Sequence, residues 1–274
     1  MQKYSVLMAV YIKDNPEYFA IALDSMINQT YPPDEIVIVQ CGQITEELQV
    51  IIHDRQKRNA SITEVPLATD PGFALSLNVG LEACRNELVA RMDADDCSCP
   101  ERCELQVKEF EKNPSLDIVG TQIREFIGTM DNVTGERKVP LSNEEIYEFA
   151  KLRDPFNHPT VMYKKSAVQA VGAYSDCSNE DTDLWIKMLS RNAVCMNIDI
   201  PLLYFRFDEQ TYRRRKSWKQ TKALLGIRYS AWQKGFNTTG EFLTIAGGQL
   251  LLYIFPPSFT KFIYKNMLRT AIDS

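Results

Sequence analysis

The sequence contains no apolar run of the length that a membrane-spanning helix requires. Such a helix needs about 20 apolar residues, and the nearest run, Leu243–Pro257, is broken by Gly247, Gly248 and Gln249. A leader is not expected either, because the strand-like stretch Tyr4–Val10 begins almost at the first residue. These two absences predict a cytoplasmic protein that does not cross the membrane.

Histidine is scarce, and its scarcity argues against a zinc site. The two histidines, His53 and His158, lie far along the chain from the trio Cys97, Cys99 and Cys103. A structural zinc site takes four nitrogen or sulfur ligands, usually in two spaced pairs. Because no leader is expected, the seven cysteines are predicted to be reduced thiols rather than disulfides. No function is assigned to His53.

Positive charge is scarce in most of the chain. Residues 211–274 hold 11 Lys or Arg against Glu241 and Asp273, although the whole chain has a net charge of −5. The excess of acid therefore lies in residues 1–210, while the basic end is expected to face something anionic. Nucleic acid is the weaker candidate for that partner, because the rest of the chain is acidic and no nucleic-acid-binding module is recognisable.

Three carboxylates stand together at the end of an apolar strand. Glu87–Met92 reads as a buried strand, and Asp93, Asp95 and Asp96 follow it directly. Ligands collect at the carboxyl ends of strands in open α/β sheets. Three clustered acids repel one another and suit a hard divalent ion such as Mg²⁺ or Mn²⁺. This stretch is therefore predicted to bind a metal.

The alternative is a solvated acidic turn that opens the next helix. Ser98-Cys-Pro-Glu101 has the Ser-x-x-Glu form of a capping box. A capping box accounts for Ser98 and Glu101 but leaves Asp93 and Asp95 unexplained. The metal site is the favoured interpretation.

Strands and helices alternate through the first half of the chain. Asn15 is predicted to cap a helix that Pro16 begins, and Asp70-Pro71 is predicted to start another with Phe73 on its apolar side. The pattern predicts a doubly wound, largely parallel sheet with helices on both faces. The predicted strands are Tyr4–Val10, Glu35–Val39, Ile62–Leu67, Glu87–Met92 and Asp117–Ile127, followed by a hairpin or loop over Gly128–Pro140 and a helix over Glu144–Leu152.

Residues around the acidic stretch resemble the DxD region of family 2 glycosyltransferases. The likeness rests on Asn78-Val-Gly80-Leu, Ala90-Arg-Met-Asp-Ala-Asp-Asp96, Ser98, Pro100 and Arg102. It covers roughly residues 4–215 and is similar to the Asp-x-Asp-Asp subgroup that builds O-antigen and capsule repeating units. The resemblance implies a GT-A fold with a mixed, mostly parallel sheet. It also implies inversion of the anomeric centre and a nucleotide-sugar donor.

The resemblance also implies a domain division. Residues 1–210 would form the catalytic domain, with a nucleotide-sugar half at about 1–112 and an acceptor half at about 113–210. Residues 211–274 would form a basic helical region. Within that region Tyr212–Lys216, together with Lys219, Lys222 and Arg228, resembles a flexible segment that closes over the diphosphate, since arginine binds phosphate bidentately.

Donor-binding residues follow from the same resemblance. Ala9 and Tyr11 match positions that line the uracil, although a half-buried aromatic at a strand end also explains Tyr11. Val39-Gln40-Cys41-Gly42 departs from the family, which usually has an acid before the glycine; Gln40 can accept through its amide oxygen instead. The remaining donor contacts implied are Asn78, Arg91, Asp93, Asp95, Glu180 and Arg214, with Asp95 and Asp96 holding Mn²⁺ or Mg²⁺.

A second acidic centre lies at Ser178-Asn-Glu180-Asp181. Trp185, Met188 and Leu189 have the spacing of a helix docked on the sheet, which places Glu180 and Asp181 in its first turn. Ser178-x-x-Asp181 also loosely imitates a capping box, and acids favour helix N-termini. The match to the family's Glu-Asp-x-Asp-Leu-Trp segment implies that Asp181 is the catalytic base.

Two further groups are assigned to the acceptor side. Phe156–Met162 resembles the family's His-Pro-Thr/Ser strand, which makes His158 a candidate for contact with diphosphate or acceptor, and Trp185 is the second candidate. In the C-terminal part, Phe259–Arg269 carries aromatic and aliphatic residues on one helical face and bases on another. That pattern is typical of a helix lying on an anionic membrane, and equally of a terminal helix packed on the domain.

The combined hypothesis is an inverting, metal-dependent transferase of the peripheral cytoplasmic membrane. It would move a hexose (Glc, Gal or an N-acetylhexosamine) from a UDP-sugar to a polyprenyl-diphosphate-linked saccharide and form a β-linkage. One alternative is a nucleotidyltransferase, but Tyr11-Ile-Lys-Asp-Asn-Pro16 supplies no glycine-rich phosphate loop. The other is a non-catalytic nucleotide-binding protein, for which Gln40-Cys41 is the motive.

Overall fold

One mixed sheet organises the chain in the computed structural model, which describes residues 1–58, 61–207 and 217–254. The strands are β1 (Tyr4–Val10), β2 (Glu35–Gln40), β3 (Ile62–Pro66), β4 (Leu88–Met92), β5 (Cys97–Ser98), β6 (Ile118–Phe126), β7 (Val133–Arg137), β8 (Met162–Lys164) and β9 (Cys195–Arg206). The helices are α1 (Pro16–Ile27), α2 (Glu46–Arg58), α3 (Phe73–Ala83), α4 (Arg102–Lys112), α5 (Asn143–Ala150), α6 (Lys165–Ala170), α7 (Glu180–Leu189), α8 (Trp218–Gln233) and α9 (Thr239–Ile254).

The strand order is β3-β2-β1-β4-β8-β6-β9-β5, with β7 paired to β6. Strands β1 to β4 are parallel to one another, β8 runs against β4 and β6, and β9 is again parallel to β6. The sheet is therefore mixed and mostly parallel, with helices on both faces, which confirms the predicted fold class. The carboxyl ends of β1, β2 and β4 meet at one edge, where ligands collect in such sheets.

Alternation along the central strands divides the core in two. Val6, Met8 and Val10 of β1 pack on the face covered by α1, α2 and α4. Leu7 and Ala9 pack on the opposite face, against α3 and α7. Every residue of β1 and β4 is buried. This is the pattern of strands covered on both sides.

Gly80 explains part of the motif that surrounds it. A Cβ atom at this position of α3 would overlap the side chains of Leu7 and Val39. Helix α3 can therefore lie directly on β1 and β2 only with glycine here. The close approach places the start of α3 beside the ligand edge of the sheet.

The helix starts test several of the sequence predictions. Asn15 accepts hydrogen bonds from the N–H groups of Glu17 and Tyr18 and Pro16 begins α1, as predicted. The predicted capping box is wrong, because α4 begins at Arg102 without a side-chain cap and Ser98 belongs to β5. Ser98 instead pairs across the sheet with β9 and accepts a hydrogen bond from Gln29.

Two other elements differ from expectation. Helix α3 begins at Phe73, two residues beyond Asp70-Pro71, and the Phe73 ring is exposed rather than on the apolar side. The stretch predicted as a strand at Phe156–Met162 instead contains a 3₁₀ turn at His158–Thr160, and strand β8 begins only at Met162.

The described part of the basic C-terminal region consists of α8 and α9. These helices pack on each other, and α8 also contacts α7. Within the described residues, none of the helices combines the length and apolarity needed to cross a membrane. The seven cysteines form no disulfide.

Candidate active site

The three predicted acids form one cluster at the end of β4. Carboxylate oxygens of Asp93, Asp95 and Asp96 lie within 4.8 Å of one another. Asp96 is 1% exposed, and its Oδ1 accepts a hydrogen bond of 2.8 Å from the Arg206 N–H, while its buried Oδ2 has no hydrogen-bond partner in the described chain. Burial and the neighbouring Asp95 and Asp93 carboxylates raise the pKa of Asp96 well above its usual range. The cluster therefore fits a hard divalent cation, because a cation would supply both the missing partner and the missing charge.

Arg206, at the end of β9, braces this turn. Its Nε donates to the Asp95 carbonyl over 2.9 Å, and its Nη1 donates to the Gly128 carbonyl over 2.8 Å. The guanidinium also lies 3.6 Å from the centroid of the Tyr18 ring. These contacts join the acidic turn to α1 and to the β6–β7 hairpin. The sequence analysis missed Arg206, since it belongs to no recognised motif.

Arg91 lies buried beneath the cluster. It is 2% exposed in β4, forms an ion pair with Asp93, and its guanidinium carbon is 5.4 Å from the centroid of the Phe73 ring. Its Nε and Nη1 are buried and have no hydrogen-bond partner in the described chain. Its positive charge favours the ionised form of Glu180 and the neutral form of His158. Arg91 thus joins the acidic cluster electrostatically to the start of α7.

Helix α7 begins with the predicted acids Glu180 and Asp181. Its N-cap, Asn179, makes no side-chain cap hydrogen bond, so the capping box considered for this segment is absent. Burial, then the carboxylates of Asp154 and Glu180, raise the pKa of Asp181 to about 7. Its Oδ1 accepts a hydrogen bond of 2.8 Å from the Thr182 N–H. A carboxylate whose pKa lies near neutral is suited to general-base catalysis.

His158 and Trp185 form a buried wall next to these acids. Nε2 of His158 lies 3.0 Å from the Tyr174 hydroxyl, and the Trp185 ring meets the His158 ring edge-on at 5.7 Å. Burial, with the Arg91 charge as a smaller cause, lowers the pKa of His158 well below its usual value, which favours the neutral imidazole. The buried indole N–H of Trp185 has no hydrogen-bond partner in the described residues. Contact of this pair with an acceptor stays a prediction.

Ala9 and Tyr11 lie at the carboxyl end of β1, and Asn78 lies within α3. Ala9 is near the end of β1 and 8% exposed, and Tyr11 follows the strand with 40% of its surface exposed. Asn78 donates to the Tyr174 carbonyl over 2.8 Å and accepts from the Tyr174 N–H over 2.9 Å. Its amide therefore clamps α3 to the segment before α7. Donor contact by these three residues stays a prediction.

Gln40 lies on the α2 side of the sheet. Its Nε2 donates to Glu64 Oε2 over 2.7 Å and to Gln49 Oε1 over 3.1 Å. Both N–H groups are thus engaged by the protein, and the oxygen is the atom left to accept from a ligand. Cys41 is part of the apolar cluster on the other face, which also contains Ala9. The departure from the family pattern therefore affects both faces of the sheet end.

The C-terminal assignments divide in two. Arg214 and the predicted membrane helix Phe259–Arg269 lie outside the described residues. Arg228 had been grouped with the basic segment over the diphosphate, but this assignment is wrong. Its side chain is 3% exposed, and its Nη1 donates to the Ala150 carbonyl over 2.5 Å.

Asp154 and Arg137 were also missed by the sequence analysis. Asp154 lies beside Asp181, and the Arg137 Nη2 donates to the Asp154 carbonyl over 3.0 Å. The one available signal was the position of Asp154, just before the Phe156–Met162 motif. Pairing of β7 with β6, which brings Arg137 close, leaves no mark in the local sequence.

Comparison with known proteins identifies relatives along nearly the whole chain. The model of Glycosyl transferase family 2 matches residues 5–174. The UDP-Gal:alpha-D-GlcNAc-diphosphoundecaprenol beta-1,3-galactosyltransferase of Escherichia coli is 33% identical over 268 residues, which cover 97% of each chain. The amylovoran biosynthesis glycosyltransferase AmsE of Erwinia amylovora is 34% identical over 239 residues, covering 85% of this chain and 88% of AmsE.

The fold is shared with solved glycosyltransferases. The mannosyltransferase PcManGT from Pyrobaculum calidifontis, solved in complex with GDP-Man and Mn²⁺, superposes with a TM-score of 0.64 at 15% sequence identity. The match covers 92% of this chain and 70% of that protein. It shows that this chain has the GT-A fold.

Proposed function

Because the chain belongs to glycosyl transferase family 2, we propose that it is an inverting, metal-dependent glycosyltransferase. One observation carries the proposal: the carboxylate cluster, whose buried Asp96 Oδ2 has no partner among the described residues, lies within electrostatic range of the start of α7, where the pKa of Asp181 is about 7. Arg91 and Glu180 connect the two electrostatically. Inverting transfer needs both, since one group removes a proton while another stabilises the leaving diphosphate.

The roles follow from the chemistry of an in-line displacement. An acceptor hydroxyl attacks the anomeric carbon as the nucleoside diphosphate leaves, and Asp181 takes the hydroxyl proton. Asp95 and Asp96 would hold Mn²⁺ or Mg²⁺, with Asp93 supporting the site. The bound ion would neutralise charge on the leaving group. A retaining double displacement would need a carboxylate nucleophile as well as the base.

The donor and acceptor are inferred from the relatives. The Escherichia coli relative is named for transfer from UDP-Gal to a diphosphoundecaprenol-linked GlcNAc with a β-1,3 linkage. The AmsE relative is named for the biosynthesis of amylovoran. We infer for this chain a UDP-hexose donor, a polyprenyl-diphosphate-linked saccharide acceptor and a β-linked product.

Peripheral contact with the cytoplasmic membrane would deliver such an acceptor. Helix α9 exposes Leu243 and Leu251, with 62% and 54% of their surfaces accessible. The predicted basic helix Phe259–Arg269 follows it in the sequence. An apolar surface that is followed along the chain by a basic one suits contact with a membrane of anionic lipid.

Release of the leaving group tests the proposal. Purified protein is incubated with Mn²⁺ and, separately, UDP-Gal, UDP-Glc and UDP-GlcNAc, with and without a soluble lipid-diphosphate saccharide analogue. A glycosyltransferase releases UDP when the acceptor is present, in an amount that matches the acceptor glycosylated. Pyrophosphate release from UTP and a sugar phosphate would indicate a nucleotidyltransferase instead. Neither product, together with Mn²⁺-dependent UDP binding, would indicate a non-catalytic protein.

A further inference from the structure

A buried arginine from the C-terminal region reaches the vicinity of Asp181. Arg228 of α8 is 3% exposed, and its Nη2 lies 3.6 Å from Asp154 Oδ1. Its Nη1 is fixed on the Ala150 carbonyl at the end of α5, and its Nε has no hydrogen-bond partner among the described residues. Helix α8 is itself held at the start of α7 by the Asn179 side chain, which donates to the Gln220 carbonyl over 3.1 Å.

Asp154 connects this arginine to the proposed base. Its Oδ1 accepts a hydrogen bond of 2.7 Å from the Thr182 hydroxyl. Thr182 is the neighbour of Asp181, and its N–H is the donor to the Asp181 carboxylate. The segment after α5, the first turn of α7 and the middle of α8 are therefore joined by polar contacts around Asp181.

We propose that Arg228 is a positioning residue for Asp181 and acts by balancing the charge of Asp154. The inference rests on the proposed role of Asp181 as base. It gives α8 a function in the chemistry, whereas the sequence analysis assigned Arg228 to binding of the diphosphate.

The physical argument concerns the charges that face Asp181. Asp154 and Glu180 favour its protonated form and raise its pKa, while Arg137 of β7 opposes them. The Arg228 charge is attracted by both Asp154 and Asp181. Without Arg228, the Asp154 charge would act on Asp181 with less compensation, so the pKa of Asp181 would rise further. Without the Asp154 charge, the pKa of Asp181 would fall.

The sign of the effect on activity follows directly. A general base works in its ionised form, so kcat rises with pH through the pKa of Asp181 and then reaches a plateau. Arg228→Met should move this acid limb to higher pH, and Asp154→Asn should move it to lower pH. A displacement of about one pH unit changes kcat about tenfold on the limb and leaves the plateau unchanged.

The experiment is a set of kcat profiles from pH 5 to 9, at saturating donor, soluble acceptor and Mn²⁺. The variants are Arg228→Met, Arg228→Lys, Asp154→Asn and the double variant Asp154→Asn/Arg228→Met. We expect the limb to move up, stay near the wild-type position, move down, and return toward wild type, respectively. Arg191→Met is the matched control, because Arg191 donates to the Ala170 carbonyl from an exposed position; its limb should not move.

Loss of kcat by the same factor at every pH in Arg228→Met would overturn the proposal and assign Arg228 to structure alone. Should Arg228→Met fail to fold, Asp154→Asn decides alone, since it keeps the Thr182 hydrogen bond, and an unmoved limb contradicts the proposal. Asp181→Asn separates the two hypotheses. If it retains transfer, the proposed base is wrong. If it abolishes transfer while the limbs stay fixed, only the role of Arg228 is wrong.

Discussion

The three acids after β4 differ in their contacts within the protein. Asp96 is buried and holds the Arg206 N–H, so it contributes to the shape of the turn. Asp93 forms an ion pair with the buried Arg91. At Asp95 it is the backbone carbonyl that receives Arg206. Asp95 is less buried than Asp96, and its charge opposes the ionisation of Asp96, so loss of its side chain relieves repulsion within the cluster.

This difference predicts that Asp95→Ala abolishes metal-dependent nucleotide binding and leaves stability near the wild-type value. The backbone contact with Arg206 survives the substitution, and one repelling charge is removed. Asp96→Ala is the comparison: it leaves the Arg206 N–H without its acceptor and should cost about 1 to 3 kcal/mol of stability as well as binding. Titration calorimetry of UDP with Mn²⁺ and urea unfolding measure the two effects. Equal destabilisation by both variants would contradict the assignment.

Sequence reasoning at this scale succeeded where residues are close along the chain. The triad Asp93, Asp95 and Asp96 is contiguous with its strand, so a local pattern identifies it. Arg206 lies more than 100 residues beyond Asp96, which it contacts. Arg228 lies about 50 residues beyond Asp181, which it faces. Long-range packing of this kind leaves no local signal, and without the fold Arg228 looked like one more base in a basic stretch.

Helix α4 shows how a local signal can mislead. Ser-x-x-Glu predicts a capping box, but the chain forms the short strand β5 at Cys97–Ser98 before the helix begins. Pairing of β5 with β9 takes Ser98 into the sheet. Tertiary pairing therefore overrides a capping preference worth about 1 kcal/mol. By contrast, the strands β1, β2 and β4 were predicted closely, because their apolar runs reflect burial on both faces.

Arg102, the first residue of α4, links three elements of the site. It is fully buried, and its Nη1 donates to the Pro159 carbonyl in the 3₁₀ turn over 2.6 Å, while its Nη2 donates to the Arg91 carbonyl over 3.3 Å. Its position in the family-like motif thus has a structural explanation. The guanidinium fixes the turn that contains His158 against the end of β4.

We predict that Arg102→Met lowers the free energy of unfolding by about 2 kcal/mol, because two buried carbonyl groups lose their donor. Arg58→Met is the control, since Arg58 is 74% exposed and pairs with Asp54 on the surface of α2; that change should cost no more than about 0.5 kcal/mol. Urea unfolding followed by circular dichroism gives both values. An Arg102 variant as stable as the control would show that the turn holds without this clamp.

Across the whole molecule, the described C-terminal helices are joined to the part of the chain that holds the candidate site. Arg228 and Asn237 both donate to the carbonyls that end α5, at Ala150 and Lys151. The apolar surface that α9 exposes lies further along the chain, towards the predicted basic helix. We therefore propose that the chemistry depends on α8 and that acceptor delivery depends on the residues that follow it along the chain.

Two truncations test this division. Ending the chain after Pro257 removes Lys261, Lys265 and Arg269, which together should weaken binding to anionic vesicles roughly a hundredfold at low salt, at about 1 kcal/mol each. Transfer to a soluble acceptor should stay near wild type, while transfer to vesicle-embedded acceptor falls. Ending the chain after Lys216 removes α8 and α9 and should abolish both activities. Equal loss of both activities in the chain that ends after Pro257 would place the predicted basic helix in the core.

The central claim is that Asp181 is the base of a metal-dependent inverting transfer, and Asp181→Asn tests it most directly. The measurement is the single-turnover rate of transfer at pH 8, with donor affinity determined on the same samples. We expect donor and Mn²⁺ binding to be unchanged and the transfer rate to fall by about 10² to 10⁴. The variant should be at least as stable as wild type at this pH, because the raised pKa of Asp181 makes its ionised form unfavourable to the folded state above about 7. A rate within a few-fold of wild type would remove Asp181 from the mechanism and contradict the account.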